Sequence, residues 1–185
     1  MSKRKSSLYR ILLVFLLVLL DQFVKRYIAQ NYMDMHFKIL GNFLDFMPHL
    51  NTSYSWLNSL TDMEIGKTAH ILTVLVFFIL TCIIYDFVRI KYLLKAYEHC
   101  LFILLFAGII CSLLDKVFWG GSLDFIWLKG FFIFDLKDVY LTTAEALMVL
   151  KLFISREFRN FNGRELWEAF RGHLKVRFKV EAEKK

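Results

Sequence analysis

Residues 108–138 read GIICSLLDKVFWGGSLDFIWLKGFFIFDLKD. An apolar run climbs to Asp115, breaks at Gly120 and Gly121, and returns to Asp138 just ahead of a second apolar run. Two carboxylates therefore stand at the same end of two neighbouring, oppositely directed hydrophobic segments. Acids at the edge of a membrane-grade helix are costly to place and are functional candidates by default. Residue counts put both at one depth. Leu101 to Leu114 precede Asp115, and Val139 to Ile154 follow Asp138; at 1.5 Å per residue these are ~21 and ~24 Å of helix. Both fall short of the ~30 Å hydrocarbon core, so both acids lie slightly below its outer edge. Two carboxylates brought close share a proton, and one then serves as base and the other as acid. A water activated by the base attacks a peptide carbonyl, which is aspartic peptidase chemistry and needs no metal. A proton or cation path is the other use of paired membrane acids, and spacing leaves it open.

Composition supports a membrane setting. Hydrophobic residues make up 57% of the 185-residue chain, and mean hydropathy is +0.47. Twenty Phe, eight Tyr and four Trp suit a bilayer with aromatic belts. The net charge of +7 does not indicate nucleic acid, because the basic residues gather at the termini and one loop instead of on a solvated face. Cys82, Cys100 and Cys111 are scattered in apolar runs without a CxxC, which argues against a disulfide framework or a zinc site. No cofactor and no metal is expected.

Four apolar runs predict four spans, at about 7–28, 68–85, 97–119 and 138–155. The first follows MSKRKSSLYR, but no A-x-A cleavage site comes after it, so it reads as a retained helix. Asp21 and Lys25 fall one turn apart on it, either as a local ion pair or as the lining of a polar cavity. Residues 31–66 carry Gly41, Pro48 and Asn51 between short apolar pieces, which predicts strands and turns between the first and second spans. His70 reads as a packing residue, with no ligand partner at i+4. Lys and Arg concentrate in residues 1–10, 86–98 and 156–185, so both termini are expected in the cytoplasm. The expected fold is an all-α polytopic membrane protein with a small extracytoplasmic β element. Residues 1–156 form its membrane domain, and 157–185 form a basic tail that either lies on anionic lipid or is solvated. Glu145, two turns below Asp138, reads either as glue between helices or as a group that tunes the acid pair.

Four motif blocks, in order over about residues 8–155, resemble the lipoprotein signal peptidases, the type II signal peptidases of bacteria. DQFVK (21–25) looks like the family's D-x-x-x-K, and NTSYSW (51–56) like N-x-G-x-A-F. GIICSLLDKVFWGGSLDF (108–125) looks like G-x-x-x-N-x-x-D-R-x-x-x-G-x-V-x-D-F, and FDLKD (134–138) like F-N-x-A-D. The resemblance implies an intramembrane endopeptidase of the bacterial inner membrane. Its substrates would be prolipoproteins, cut just before a Cys that already carries diacylglycerol. Asp115 and Asp138 would be the dyad. Asn51, Asp21, Lys25, Ser112 and Lys116 would shape or support the substrate site, and Asp124 would brace the outer loop. The implied partners are those precursors and membrane phospholipid, with no nucleic acid, and the protein is expected to be a monomer.

The chain departs from the pattern at several places. Ser112 stands for Asn, Lys116 for Arg, Ser53 for Gly, Asp135 for Asn and Lys137 for Ala; Tyr54 and Ser55 stand where Ala is favoured. Lys in place of Arg loses a bidentate fork. Asp135 adds a negative charge near the dyad, which Lys137 can offset. The favoured reading is an active, divergent peptidase. A proton-coupled carrier using the same acids and a non-catalytic lipoprotein-binding relative are the alternatives.

Overall fold

The computed structural model describes residues 3–54, 58, 65–91, 94–154 and 163–182. Ser55, Trp56 and Ser155 lie outside the described residues. Long apolar runs without proline form the helices: α1 (Lys3–Asn31), α2 (Lys67–Lys91), α3 (Ala96–Leu114), α4 (Leu136–Ile154) and α5 (Gly163–Ala182). Among the described residues three helices are long and apolar enough to cross a membrane, and they correspond to α1, α2 and α3 with its extension to Trp119. Helix α4 has 19 residues and carries Lys137, Asp138, Glu145 and Lys151. The molecule is thus mostly helical, with a small antiparallel sheet.

The sheet has four strands in the order β1-β2-β3-β4. Strands β1 (Phe37–Leu40) and β2 (Leu44–Asn51) fall where short strands were expected. Strands β3 (Ser122–Leu128) and β4 (Phe132–Phe134) do not: they arise between α3 and α4. The cause is visible in the chain. SLDFIWL is a β-rich run, and Gly130, at φ 80°, turns it back on FIF. Pro48 cannot donate to a ladder and sits where the β2–β3 register slips, between Phe46 and His49.

Helix α1 buries one stripe: Val18, Asp21, Lys25 and Ile28, at i, i+3, i+7 and i+10. Its lower part packs with Ala107, Cys111 and Tyr140, and its upper part with Leu123 and Phe125 of β3. Helices α3 and α4 approach closely at Gly108, where a Cβ would meet the Leu141 side chain at 2.6 Å and the Lys137 carbonyl at 3.3 Å. Glu98 closes the start of α3 by accepting the Lys95 N–H at 2.7 Å, and it also pairs with Lys151 near the end of α4. Helix α5 rests on the end of α2: Phe170 and His173 lie 5.3 and 5.6 Å from the Phe87 ring, and His173 reaches Asp86 at 3.5 Å.

Candidate active site

The polar stripe of α1 faces the junction of α3, β3 and α4. Helix α3 widens into one π-helical turn, Asp115–Trp119, which ends at Gly120 in the left-handed region (φ 65°). Such insertions commonly re-aim side chains at functional sites. Here the turn buries both Asp115 and Lys116. Gly121 then lets β3 pass against β2, since a Cβ there would stand 2.6 Å from the Asn51 carbonyl oxygen.

Lys25 is fully buried, and its ammonium holds three carboxylates. It donates to both oxygens of Asp115 at 2.8 and 2.7 Å, and it pairs with Asp21 at 3.0 Å and Asp135 at 2.7 Å. Lys137 makes a second hub. Its ammonium lies 2.5 Å from Asp135, 3.4 Å from Asp115, 3.6 Å from Asp124 and 3.7 Å from Asp138. Ser122 sits at the centre: it accepts from Lys137 at 2.5 Å and donates to Asp124 at 2.8 Å, with oxygens of Asp115 and Asp135 at 3.2 Å.

Asp135 and Asp138 open α4 as a reciprocal cap. Asp135 accepts the Asp138 N–H at 3.1 Å, and Asp138 accepts the Asp135 N–H at 3.2 Å. Burial opposes charge on Asp135, but Lys137 and Lys25 outweigh it and hold its carboxyl below the usual range. Asp124 moves the other way. Burial and the neighbouring Asp135 charge raise it, against the pull of Lys137 and the hydrogen bonds from Ser122 and Asn51.

Asp115 and Asp138, the expected pair, are held by different partners. The Asp115 carboxylate is wholly inaccessible and is saturated by Lys25 on one side and Lys137 on the other. Asp138 instead gathers with Asp124 and Asp135, one oxygen of each lying within 4.8 Å of the others. Asp124, expected to brace an outer loop, is an inward-facing β3 residue of this cluster. Asp138 is its accessible member, with a side chain 39% exposed. The three oxygens have the spacing of a cation site, but the Lys137 ammonium already supplies positive charge to all three.

The other expected residues are placed as follows. Asn51 ends β2 and points its amide at Asp124, 3.5 Å away. Lys116 donates to Ser112 at 2.9 Å and forms no ion pair among the described residues. Glu145 is exposed, one position off the buried line of Lys137, Tyr140 and Ala144, so the face expected to carry it with Asp138 is not the packed one. His70 packs against the Tyr54 ring at 5.7 Å. Tyr54 itself holds a left-handed backbone, φ 63°.

Two participants, Ser122 and Gln22, were not anticipated. Ser122 stands where the quoted family pattern has Val, and Gln22 falls on an unspecified position of D-x-x-x-K; Gln22 donates to Asp21 at 3.0 Å and Asp115 at 3.2 Å and accepts from Trp119 at 3.1 Å. The capping role of Asp135 did have a signal: an acid, two residues, a second acid, then an apolar run.

Apolar helices around this charged centre define a multi-pass membrane protein with polar chemistry at one end of its bundle. The family model described as signal peptidase (SPase) II matches residues 13–154. Two solved bacterial membrane enzymes, determined by the in meso method at 1.9 and 2.3 Å resolution, share the fold. The first has TM-score 0.66 and 24% identity, over 80% of this chain and 94% of the other. The second has TM-score 0.64 and 25% identity, over 84% and 92%. Among curated proteins none matches the sequence significantly. The chain belongs to the signal peptidase II family and is a membrane-spanning hydrolase, a protease.

Proposed function

We propose that this protein is an aspartic endopeptidase that removes signal peptides from diacylglyceryl-modified prolipoproteins, cutting before the lipidated Cys, with Asp124 and Asp138 as its working pair. The observation that carries the assignment of the pair is a charge count. Lys25 and Lys137 reach five carboxyl groups: Asp21, Asp115, Asp124, Asp135 and Asp138. Four of the five are buried, and two ammonium groups cannot neutralise four carboxylates shielded from water, so the site must retain protons. Asp115 and Asp135 hold the short contacts to lysine. The proton is left to Asp124 and Asp138, whose lysine contacts are the longest of the five, 3.6 and 3.7 Å.

Asp124 is the more closed of the two, with a side chain 8% exposed against 39% for Asp138, and it is assigned the acid's role. Asp138, more open, draws a proton from water, and that water attacks the peptide carbonyl. Asp124 protonates the carbonyl oxygen; Asp138 then gives its proton to the leaving nitrogen as the C–N bond breaks, and Asp124 takes its proton back from the collapsing diol. Asn51 steers the Asp124 carboxyl, while Lys116, tethered to Ser112, offers a cation to the substrate backbone. In this reading α4 is a fourth span, the sheet lies on the extracytoplasmic face and both termini are in the cytoplasm of a bacterium. A cleavage site just under the outer surface suits a precursor held in the bilayer by its own helix and acyl chains.

The test is complementation of a strain lacking its lipoprotein signal peptidase. Asp124→Asn and Asp138→Asn should each abolish precursor processing while the protein still inserts. Processing by the Asp124→Asn protein would overturn the pair. Solute or proton flux in proteoliposomes without cleavage would favour a carrier.

A further inference from the structure

At the opposite end of the bundle from the carboxylates, α1, α2 and α3 enclose a trough of about 600 Å³. This is within the ~300–1,000 Å³ range of small-molecule sites. Its walls are apolar, with Val14, Phe78 and Phe106 among them. From Arg10 to Val18 along α1 it extends about 12 Å. Its mouth is cationic and polar: Arg10, Arg89 and His99 lie together there. Arg10 and His99 approach at 3.2 Å, and Arg10 also donates to Ser7 at 3.1 Å. Arg10 has no acidic partner among the described residues, whereas Arg89 has Asp86 at 3.0 Å. The other ring nitrogen of His99, Nδ1, is buried without a hydrogen bond. A guanidinium without a counter-ion above an apolar trough calls for a ligand with an anionic head and a hydrocarbon tail.

We propose that this trough is a binding site for one anionic phospholipid, with an acyl chain between α1, α2 and α3 and the phosphate capped by Arg10, Arg89 and His99. Basic pockets between helices on the cytoplasmic side are suited to such headgroups. A substrate signal helix fits less well. Its basic N-terminal region would come to the same level as Arg10 and Arg89, so like charges would meet. The site shares no residue with the carboxylate cluster, and the proposal stands or falls apart from the peptidase mechanism.

The full chain is reconstituted into phosphatidylcholine nanodiscs that contain a minor fraction of photoreactive lipid. The probe carries its photoreactive group on an acyl chain and has either a phosphatidylglycerol or a phosphatidylcholine head. Label on peptides holding Val14, Phe78 or Phe106 should be on the order of tenfold stronger from the phosphatidylglycerol probe, the size expected for two arginines at an anionic head. Arg10→Gln with Arg89→Gln should erase the preference, and Arg10→Lys with Arg89→Lys should keep it. Equal labelling by the two heads overturns the proposal. So does displacement of the label by a synthetic signal helix, or by glycerol phosphate in solution. The wild-type comparison needs no variant, so a poorly folded mutant does not blunt the test.

Discussion

Lys137 shows how one side chain can reset a site. The family pattern has small, neutral residues where this chain has Asp135 and Lys137, and the two charges answer each other at 2.5 Å. Lys137 also lies 3.6 Å from Asp124 and so favours its ionised form. Asp124 is the acid of the proposed pair, and activity should fall on the alkaline side as it loses its proton. Its raised value puts that limb above the ordinary carboxylate range of about 4. Removing the Lys137 ammonium by Lys137→Met should move the limb to still higher pH, while Lys137→Arg should leave it in place. The pH profile of precursor cleavage measures this, and an unmoved limb in Lys137→Met would remove Asp124 from the acid's role. Asp124→Asn itself should cost on the order of 10²–10⁴-fold in cleavage rate. Lys25→Met should act differently. It strands Asp21 and half of the Asp115 contacts in a closed interior, a loss of about 3–5 kcal/mol of stability for a broken buried pair. Thermal unfolding in detergent checks it.

At the scale of elements, the site exists because two connections fold tightly. Gly121 lets β3 cross Asn51, so Gly121→Ala would drive a methyl against a backbone carbonyl that cannot rotate away. Overpacking of this kind costs about 1–3 kcal/mol, and it should weaken cleavage by displacing Asp124 and Asn51 together. Asp45 ties the sheet's far end. It meets Lys129 at 2.9 Å and His36 at 3.0 Å. Burial would raise its carboxyl, but these two partners outweigh it and depress the value. The folded form therefore binds this proton less readily than the unfolded chain. Asp45 contributes stability above about pH 4, and that contribution fades as acid protonates it. The Asp45→Asn protein should consequently lose less stability than wild type on acidification, as read by melting temperature against pH. The short runs that make β3 and β4 were legible as strand–turn–strand in SLDFIWL-KG-FFIF. The apolar reading of the surrounding connection hid them.

For the whole molecule, chemistry and support are segregated along the bundle axis. The carboxylates occupy one end; the other end carries Arg10, Arg89, the Glu98–Lys151 tie and α5. The described contacts of α5 with the bundle fall on Asp86 and Phe87, far from the acids along α2. A chain truncated after residue 156 should therefore still process its precursor, with a lowered melting temperature from the uncovered Phe87 edge. Loss of cleavage in a truncated chain that still inserts would show that the tail reaches the site.

Helix positions and the presence of acids at one bundle end were readable directly from the chain. Hydropathy, residue rise and bilayer thickness are local quantities that add along the sequence. The Asp21–Lys25 stripe was readable for the same reason, since i and i+4 meet on any helix. Which acids meet was not. Asp115 and Asp124 are nine residues apart, and both could have faced Asp138. The π-helical turn aims Asp115 at Lys25, while the strand pleat turns Asp124 inward beside Asp138. Those orientations depend on where α1 and α4 deliver their two ammonium groups, and such distances arise only once the helices pack.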